Sequence, residues 1–83
     1  MSKKEKLAAR LRSKPRDFTF DEAESLLLSL GFVKSNKGKT SGSRVLFERE
    51  GIPIDLHKPH PSNELPAYQV TKMLKLLMKE GLI

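Results

Sequence analysis

The chain has 83 residues, no cysteine, 37% hydrophobic residues and a formal net charge of +6. This length allows one small domain, because the surface that so short a chain can bury only just offsets its loss of conformational entropy. Without cysteine the chain can form neither a disulfide nor a thiolate zinc site. Apolar runs such as residues 26–28 are far shorter than a membrane span, and none follows the basic start. We therefore expect a cytoplasmic, soluble protein with no signal peptide and no membrane partner.

The positive charge is concentrated at the N-terminus. Residues 1–16 carry seven basic side chains and one acidic side chain, a net charge of +6, whereas residues 17–83 carry nine of each and sum to zero. We therefore predict a basic arm over residues 1–16 and a single domain over residues 17–83. Leu7 and Leu11 have helical spacing, so the arm is compatible with a short amphipathic helix that ends before Pro15. Such an arm suits RNA or an acidic protein, and a solvated tail is the alternative.

The next predicted helix begins at a capping box. Thr19 fits the N-cap position and Glu22 follows three residues later, which predicts a helix from Phe20. Gly31 is placed to end the helix with a left-handed backbone. The apolar positions between them follow the spacing of one buried helical face; they are Ala23, Leu26, Leu27 and Leu30.

Three strand-like stretches follow, over residues 32–37, 43–49 and 52–57. The second and third alternate apolar and polar residues and are joined by the tight connection at residues 50–51, which predicts an antiparallel hairpin. Pro53 lies within the third stretch and has no N–H to donate. We therefore expect its N–H side to face a sheet edge or a bulge.

A last helix is predicted after Pro66 and ends near Gly81. Its apolar positions again lie on one face; they are Val70, Met73, Leu74 and Leu77. Each of these two helices and the sheet has one apolar face, so the economical packing places both helices on one side of the sheet. The predicted fold class is α+β in the order α-β-β-β-α, a three-stranded antiparallel sheet with two helices on one face, preceded by the short basic helix or arm.

Motifs of the common enzyme classes are absent. There is no Gly-rich phosphate loop followed by Lys and Ser or Thr, no nucleophile elbow and no HExxH pair. We expect neither a bound metal nor a cofactor, since only two histidines are available as nitrogen ligands. One loop has the composition of a phosphate-binding turn, with glycines that let the backbone approach an anion and with cations and hydroxyls as donors. An ordinary solvated hairpin loop explains this composition equally well. Its candidate RNA-binding residues are Lys37, Lys39, Thr40, Ser41 and Ser43, with Arg44 at its end.

Two histidines form the second candidate group. His57 and His60 flank a proline in a loop, and an imidazole suits general acid or base catalysis near neutral pH. A surface or capping role is the ordinary alternative. Antiparallel pairing of the second and third strands brings residue 43 or Arg44 opposite His57. Tyr68 begins the last helix, where its ring either caps the core or stacks on a nucleic-acid base.

These residues carry a resemblance to a known family. The stretches that match are Gly-Phe at residues 31–32, Lys-Thr-Ser-Gly-Ser-Arg-Val at 39–45, His-Pro-x-x-Glu-Leu at 60–65 and Leu-x-x-Leu-x-x-x-Gly-Leu at 74–82. Together they resemble the HicA toxins of bacterial toxin-antitoxin modules over residues 18–83. The resemblance implies a fold like that of a double-stranded RNA-binding domain. It also implies an endoribonuclease that cleaves mRNA and is neutralised by a HicB antitoxin.

The chain departs from the family pattern at one position. HicA toxins carry a catalytic histidine directly after Gly-Ser, where this chain has Arg44. Arginine does not give up its proton in a protein, so it cannot act as a general base. In one interpretation Arg44 and Lys39 hold the scissile phosphate while His60 or His57 takes the proton from the 2′-hydroxyl of the RNA. In the other, the chain has lost cleavage and binds RNA or the antitoxin only.

Overall fold

The computed structural model describes residues 2–35, 44–57 and 63–83. The elements in chain order are α1 (Lys3–Arg12), α2 (Phe20–Ser29), β1 (Val33–Ser35), β2 (Arg44–Arg49), β3 (Ile52–His57) and α3 (Ala67–Lys79). The strands form one antiparallel sheet in the order β1-β2-β3. The predicted α+β class and the order α-β-β-β-α are confirmed, with α1 as an additional helix before them. This architecture is consistent with a double-stranded-RNA-binding-domain-like fold.

Local interactions predicted from the sequence determine where α2 begins and ends. The hydroxyl of Thr19 accepts the Glu22 N–H at 3.1 Å, and the Glu22 carboxylate accepts the Thr19 N–H at 3.0 Å. This is the predicted capping box. Gly31 follows the helix with a φ of +96°, where a side chain would be strained. Strand β1 begins one residue later than predicted, because the Phe32 N–H still donates to the Leu27 carbonyl at the helix end, 3.0 Å away.

The core lies between the helices and one face of the sheet. Val45 is opposite Leu56, and Phe47 is opposite Ile54, so these four side chains share a face. Phe47, Ile54 and Leu56 are buried and Val45 is half-buried. They join a cluster with the apolar residues of α2 and α3, which include Leu26, Leu27, Val70, Met73 and Leu77. The predicted packing of two helices on one side of the sheet is therefore confirmed.

Strand β3 lies at the edge of the sheet, as Pro53 predicts. The N–H of His57 points away from β2 and donates to a side chain of α3. Pro53 is four residues earlier in the same strand, so its missing N–H faces the same free edge. The proline therefore removes no ladder hydrogen bond.

Helix α1 is part of the core. Leu11 is completely buried, and Leu7 and Ala8 are nearly so. The helix packs against α2 and α3. The helix expected in the basic arm is thus present, and its apolar face covers the same core as the rest of the chain. We therefore expect removal of residues 1–16 to destabilise the fold. The division of the chain into a basic arm at residues 1–16 and a single domain at residues 17–83 stays a prediction.

Candidate functional site

Three of the sequence-predicted site residues line one cleft. Arg44, His57 and Tyr68 border a cavity of about 530 Å³ between β3 and α3. A cleft of this size is large enough for part of a nucleotide chain. The other predicted residues lie outside the described part of the chain, and their roles stay predictions; they are Lys37, Lys39, Thr40, Ser41, Ser43 and His60.

Strand pairing brings Arg44 and His57 together. Arg44 is the first residue of β2 and is directly opposite His57, the last residue of β3. Both side chains are on the face of the sheet away from the core, since their neighbours Val45 and Leu56 point inward. The sequence prediction that places Arg44 beside His57 is confirmed. Here the guanidinium and the imidazole border the same cavity.

A carboxylate that the sequence analysis missed lies between two cations of the cleft. The Arg44 Nε atom is 3.5 Å from one oxygen of Asp55, and the Lys72 Nζ atom is 3.8 Å from the other. The Arg44 side chain is 49% exposed and that of Lys72 is 73% exposed. Long, solvated ion pairs of this kind contribute little to stability. An anion that enters the cleft therefore competes with Asp55 for both cations at small cost.

A second missed residue holds the end of β3 in place. The Gln69 side-chain oxygen accepts the backbone N–H of His57 at 3.3 Å. Gln69 is 5% exposed, and it is the one polar side chain that is buried among the residues described. A buried amide needs such a partner, because an unpaired one costs free energy. The hydrogen bond joins the first turns of α3 to the strand residue that carries the imidazole.

Tyr68 is exposed. Its side chain lies in the first turn of α3 and is 65% exposed at the edge of the cleft. The sequence alternative in which the ring caps the core is therefore wrong, because the neighbouring core positions are filled by Leu65 and Val70. An exposed ring at the edge of the cleft suits stacking on a base, which stays a prediction.

Residues 63–65, which precede α3, are hydrogen-bonded to residues at the start of α2. The Leu65 N–H donates to the Phe18 carbonyl at 2.8 Å, and the Phe20 N–H donates to the Asn63 carbonyl at 2.8 Å. The Asn63 side chain also donates to Asp21 at 3.1 Å. With His57 held by Gln69, residues on both sides of the segment 58–62 have fixed positions.

Among the described residues, the shortest arginine–carboxylate contacts are those of Arg10 on α1, and they are shorter than the contact of Arg44 in the cleft. The Arg10 Nε atom donates to Glu22 at 2.6 Å, and its Nη2 atom donates to the side chain of Asp17 at 2.9 Å. The Arg10 hydrogen bond, with those from Thr19, holds the pKa of Glu22 below its usual value despite partial burial. The hydrogen bonds that Arg10 donates to Glu22 and Asp17 raise its own pKa.

Within residues 2–35, 44–57 and 63–83, no three histidine or acidic side chains come together in a way that would hold a metal ion. In the same residues no helix is both long and apolar enough to cross a bilayer.

Comparison with models of known protein families identifies a family that the chain matches. The model of the family described as "HicA toxin of bacterial toxin-antitoxin" matches residues 20–77 of the chain. The match begins in α2, includes the three strands and ends within α3, so α1 lies outside it. No curated protein and no solved structure matches the chain.

Proposed function

The chain belongs to the HicA toxin family, and from this we propose that it cleaves mRNA as the toxin of a toxin-antitoxin module and is neutralised by a HicB-like antitoxin. The family consists of toxins of toxin-antitoxin modules. The observation that carries the proposal of cleavage is the pairing of Arg44 with His57 at the edge of the cleft. A fixed cation and an imidazole side by side are the groups that RNA cleavage needs.

In this mechanism Arg44 binds the scissile phosphate. Its guanidinium replaces the contact to Asp55 with hydrogen bonds to phosphate oxygens, which suit its planar geometry. Lys72 also faces the cleft and adds a second positive charge. As the 2′-oxygen attacks phosphorus, negative charge grows on the phosphate oxygens. A cation that is already in position stabilises this charge more than it stabilises the ground state.

The histidines move the proton. The 2′-hydroxyl of the RNA gives its proton to the imidazole of His57 or His60 as its oxygen bonds to phosphorus. The bond to the 5′-oxygen of the next nucleotide breaks, and that oxygen takes a proton from water or from an imidazolium. The products are a 2′,3′-cyclic phosphate and a 5′-hydroxyl, and the reaction uses no metal. RNA is the substrate because DNA lacks the attacking hydroxyl.

The decisive experiment incubates the purified chain with mixed mRNA in EDTA and identifies the new ends. We expect cleavage with 2′,3′-cyclic phosphate and 5′-hydroxyl ends. The variants His57→Ala and His60→Ala are tested one at a time, and we expect at least one to lose roughly 100-fold or more in rate. RNA that stays intact at high protein concentration would exclude cleavage, and full activity in both variants would exclude imidazole from the mechanism.

A second candidate function is binding of RNA or antitoxin without cleavage. It is favoured by Arg44 itself, because arginine replaces the histidine expected at this position of the family and cannot act as a base. A binding module would bind RNA with an affinity that falls steeply with salt while no product forms. The antitoxin partner is tested separately, by expressing the chain together with the product of the neighbouring reading frame. We expect a stable complex in which the RNA stays intact.

A further inference from the structure

The exposed surface of α1 is strongly basic. Lys3, Lys4, Lys6 and Arg12 are exposed on this helix, and Glu5 is its one acidic residue. Among the residues described, none of these four cations has an ion-pair partner, whereas Arg10 on the same helix is neutralised by Glu22 and Asp17. The helix therefore presents a net positive charge to solvent, whereas the charges of residues 17–83 sum to zero.

The cations of α1 are carried on a fixed support. Leu7 and Leu11 anchor the helix in the core, and the Ser2 hydroxyl caps its start by accepting the Glu5 N–H at 3.2 Å. Arg10 ties the middle of the helix to Glu22 of α2. A flexible basic tail would have to be ordered by each ligand it binds, at an entropic cost. This helix is already ordered, so its charges lie at constant spacing.

A shallow hollow runs beside these cations. It has a volume of about 340 Å³ and lies between α1 and the C-terminal residues. Its apolar lining consists of Ala8, Leu30, Leu82 and Ile83, and its charged lining consists of Lys4, Arg12 and Glu5. An apolar floor beside two cations fits an unpaired nucleotide, with the base on the apolar surface and the phosphates near the cations.

We propose that the basic surface of α1 around Lys4 and Arg12, with this hollow, is a second RNA-binding surface that takes single-stranded mRNA outside the cleft. The inference rests on the proposed mRNA substrate. Because α1 lies outside the family match at residues 20–77, this surface is an addition to the part of the chain that the family shares. It raises affinity for long RNA without taking part in the chemistry.

The test compares two double variants that each remove two exposed positive charges. Lys4→Gln with Arg12→Gln changes the hollow, and Lys75→Gln with Lys79→Gln changes α3 as a matched control. The probes are 2′-O-methyl RNAs of about 6 and about 30 nucleotides, which the proposed mechanism cannot cut. Binding therefore does not depend on whether the chain is a nuclease. Circular dichroism verifies that each variant folds, which a deletion of α1 would not allow.

We expect the hollow variant to bind the long RNA roughly tenfold more weakly than the natural chain. The slope of log Kd against log salt should fall by about 1.4, which is the value for the loss of two phosphate contacts on a single strand. The short RNA is expected to change less than about twofold. An equal loss in the control, or no loss in the hollow variant, overturns the proposal. Loss of the antitoxin complex with unchanged RNA binding also overturns it, and assigns the face to a protein.

Discussion

Two arginines of this chain lie in different surroundings, which fit a structural role for Arg10 and the proposed phosphate-binding role for Arg44. Arg10 donates to Glu22 at 2.6 Å and to Asp17 at 2.9 Å, and its guanidinium lies 5.9 Å from the centre of the Phe18 ring. Arg44 has a carboxylate contact at 3.5 Å beside an open cavity. The carboxylate contacts of Arg10 are short, whereas the contact of Arg44 to Asp55 is long and solvated. Charge alone therefore does not distinguish an arginine that stabilises the fold from one that is placed to bind an anion.

The comparison extends to the two regions that hold these arginines. The α1 and α2 region combines a buried apolar interface with a capping box and short ion pairs, all of which stabilise the fold. The strand β3 and the helix α3 also contribute buried residues to the core, but at the cleft between them they carry exposed charges, an exposed tyrosine and one buried glutamine that positions the strand end. Polar groups at a binding surface are left available for a ligand and are not all satisfied within the protein.

The largest expected effect is on stability, in the α1 region. Leu11→Ala leaves a cavity in a position that is completely buried, and we expect the free energy of unfolding to fall by about 2–5 kcal/mol. For a chain of this size this lowers Tm by at least about 8 °C. Urea unfolding measures the effect. The control is Leu28→Ala on α2, where the leucine is 48% exposed and the expected change is below about 1 kcal/mol. Equal effects would mean that α1 does not share the core.

The second prediction compares alanine substitutions at the two arginines. Arg44→Ala should reduce RNA cleavage by roughly 100- to 1000-fold, because a donor to the transition-state charge is lost, while Tm stays nearly constant. Arg10→Ala should lower Tm and leave the rate of cleavage of a short RNA unchanged. For each variant, single-turnover kinetics measures the rate of RNA cleavage and thermal unfolding measures Tm. A fall in both quantities for either variant would remove the distinction between a structural and a functional arginine.

The smallest expected effect is on how the free energy of unfolding changes at acidic pH. Because the pKa of Glu22 is lowered in the folded chain, chiefly by its hydrogen bond with Arg10, this pair stabilises the fold above the ordinary carboxyl pKa of about 4.3. The contribution is lost as the pH falls through the lower, folded value. We expect the difference in unfolding free energy between the natural chain and Arg10→Gln to shrink over this acidic range. A difference that stays constant down to the lowest accessible pH would assign the role of Arg10 to packing.

Most of the backbone was predictable from local rules. The capping box at Thr19, the left-handed Gly31 and the edge position of Pro53 each follow from the chemistry of one or two residues, and the structure confirms them. The opposition of Arg44 and His57 followed from strand direction and a tight turn. These features depend on neighbours along the chain, so a single sequence contains the information.

Features that depend on how elements dock were not predictable in the same way. The spacing of Leu7 and Leu11 predicts an apolar helical face but not the surface that it covers. Asp55 and Lys72 meet only because α3 packs beside the edge of β3. Gln69 had one usable signal, since it directly precedes Val70 on the buried side of α3 and a polar residue there needs a partner.

The anchoring of residues 63–65 on the start of α2 has a consequence for synthesis. These contacts join parts of the chain more than forty residues apart, and the amide of His57 is held only once Gln69 has been made. The strand carrying the imidazole therefore reaches its final position after most of the chain exists. An incomplete chain still attached to the ribosome lacks the wall of the cleft that α3 provides. Under the proposed function, a nascent chain therefore has no complete cleft in which to cleave the message that is being translated.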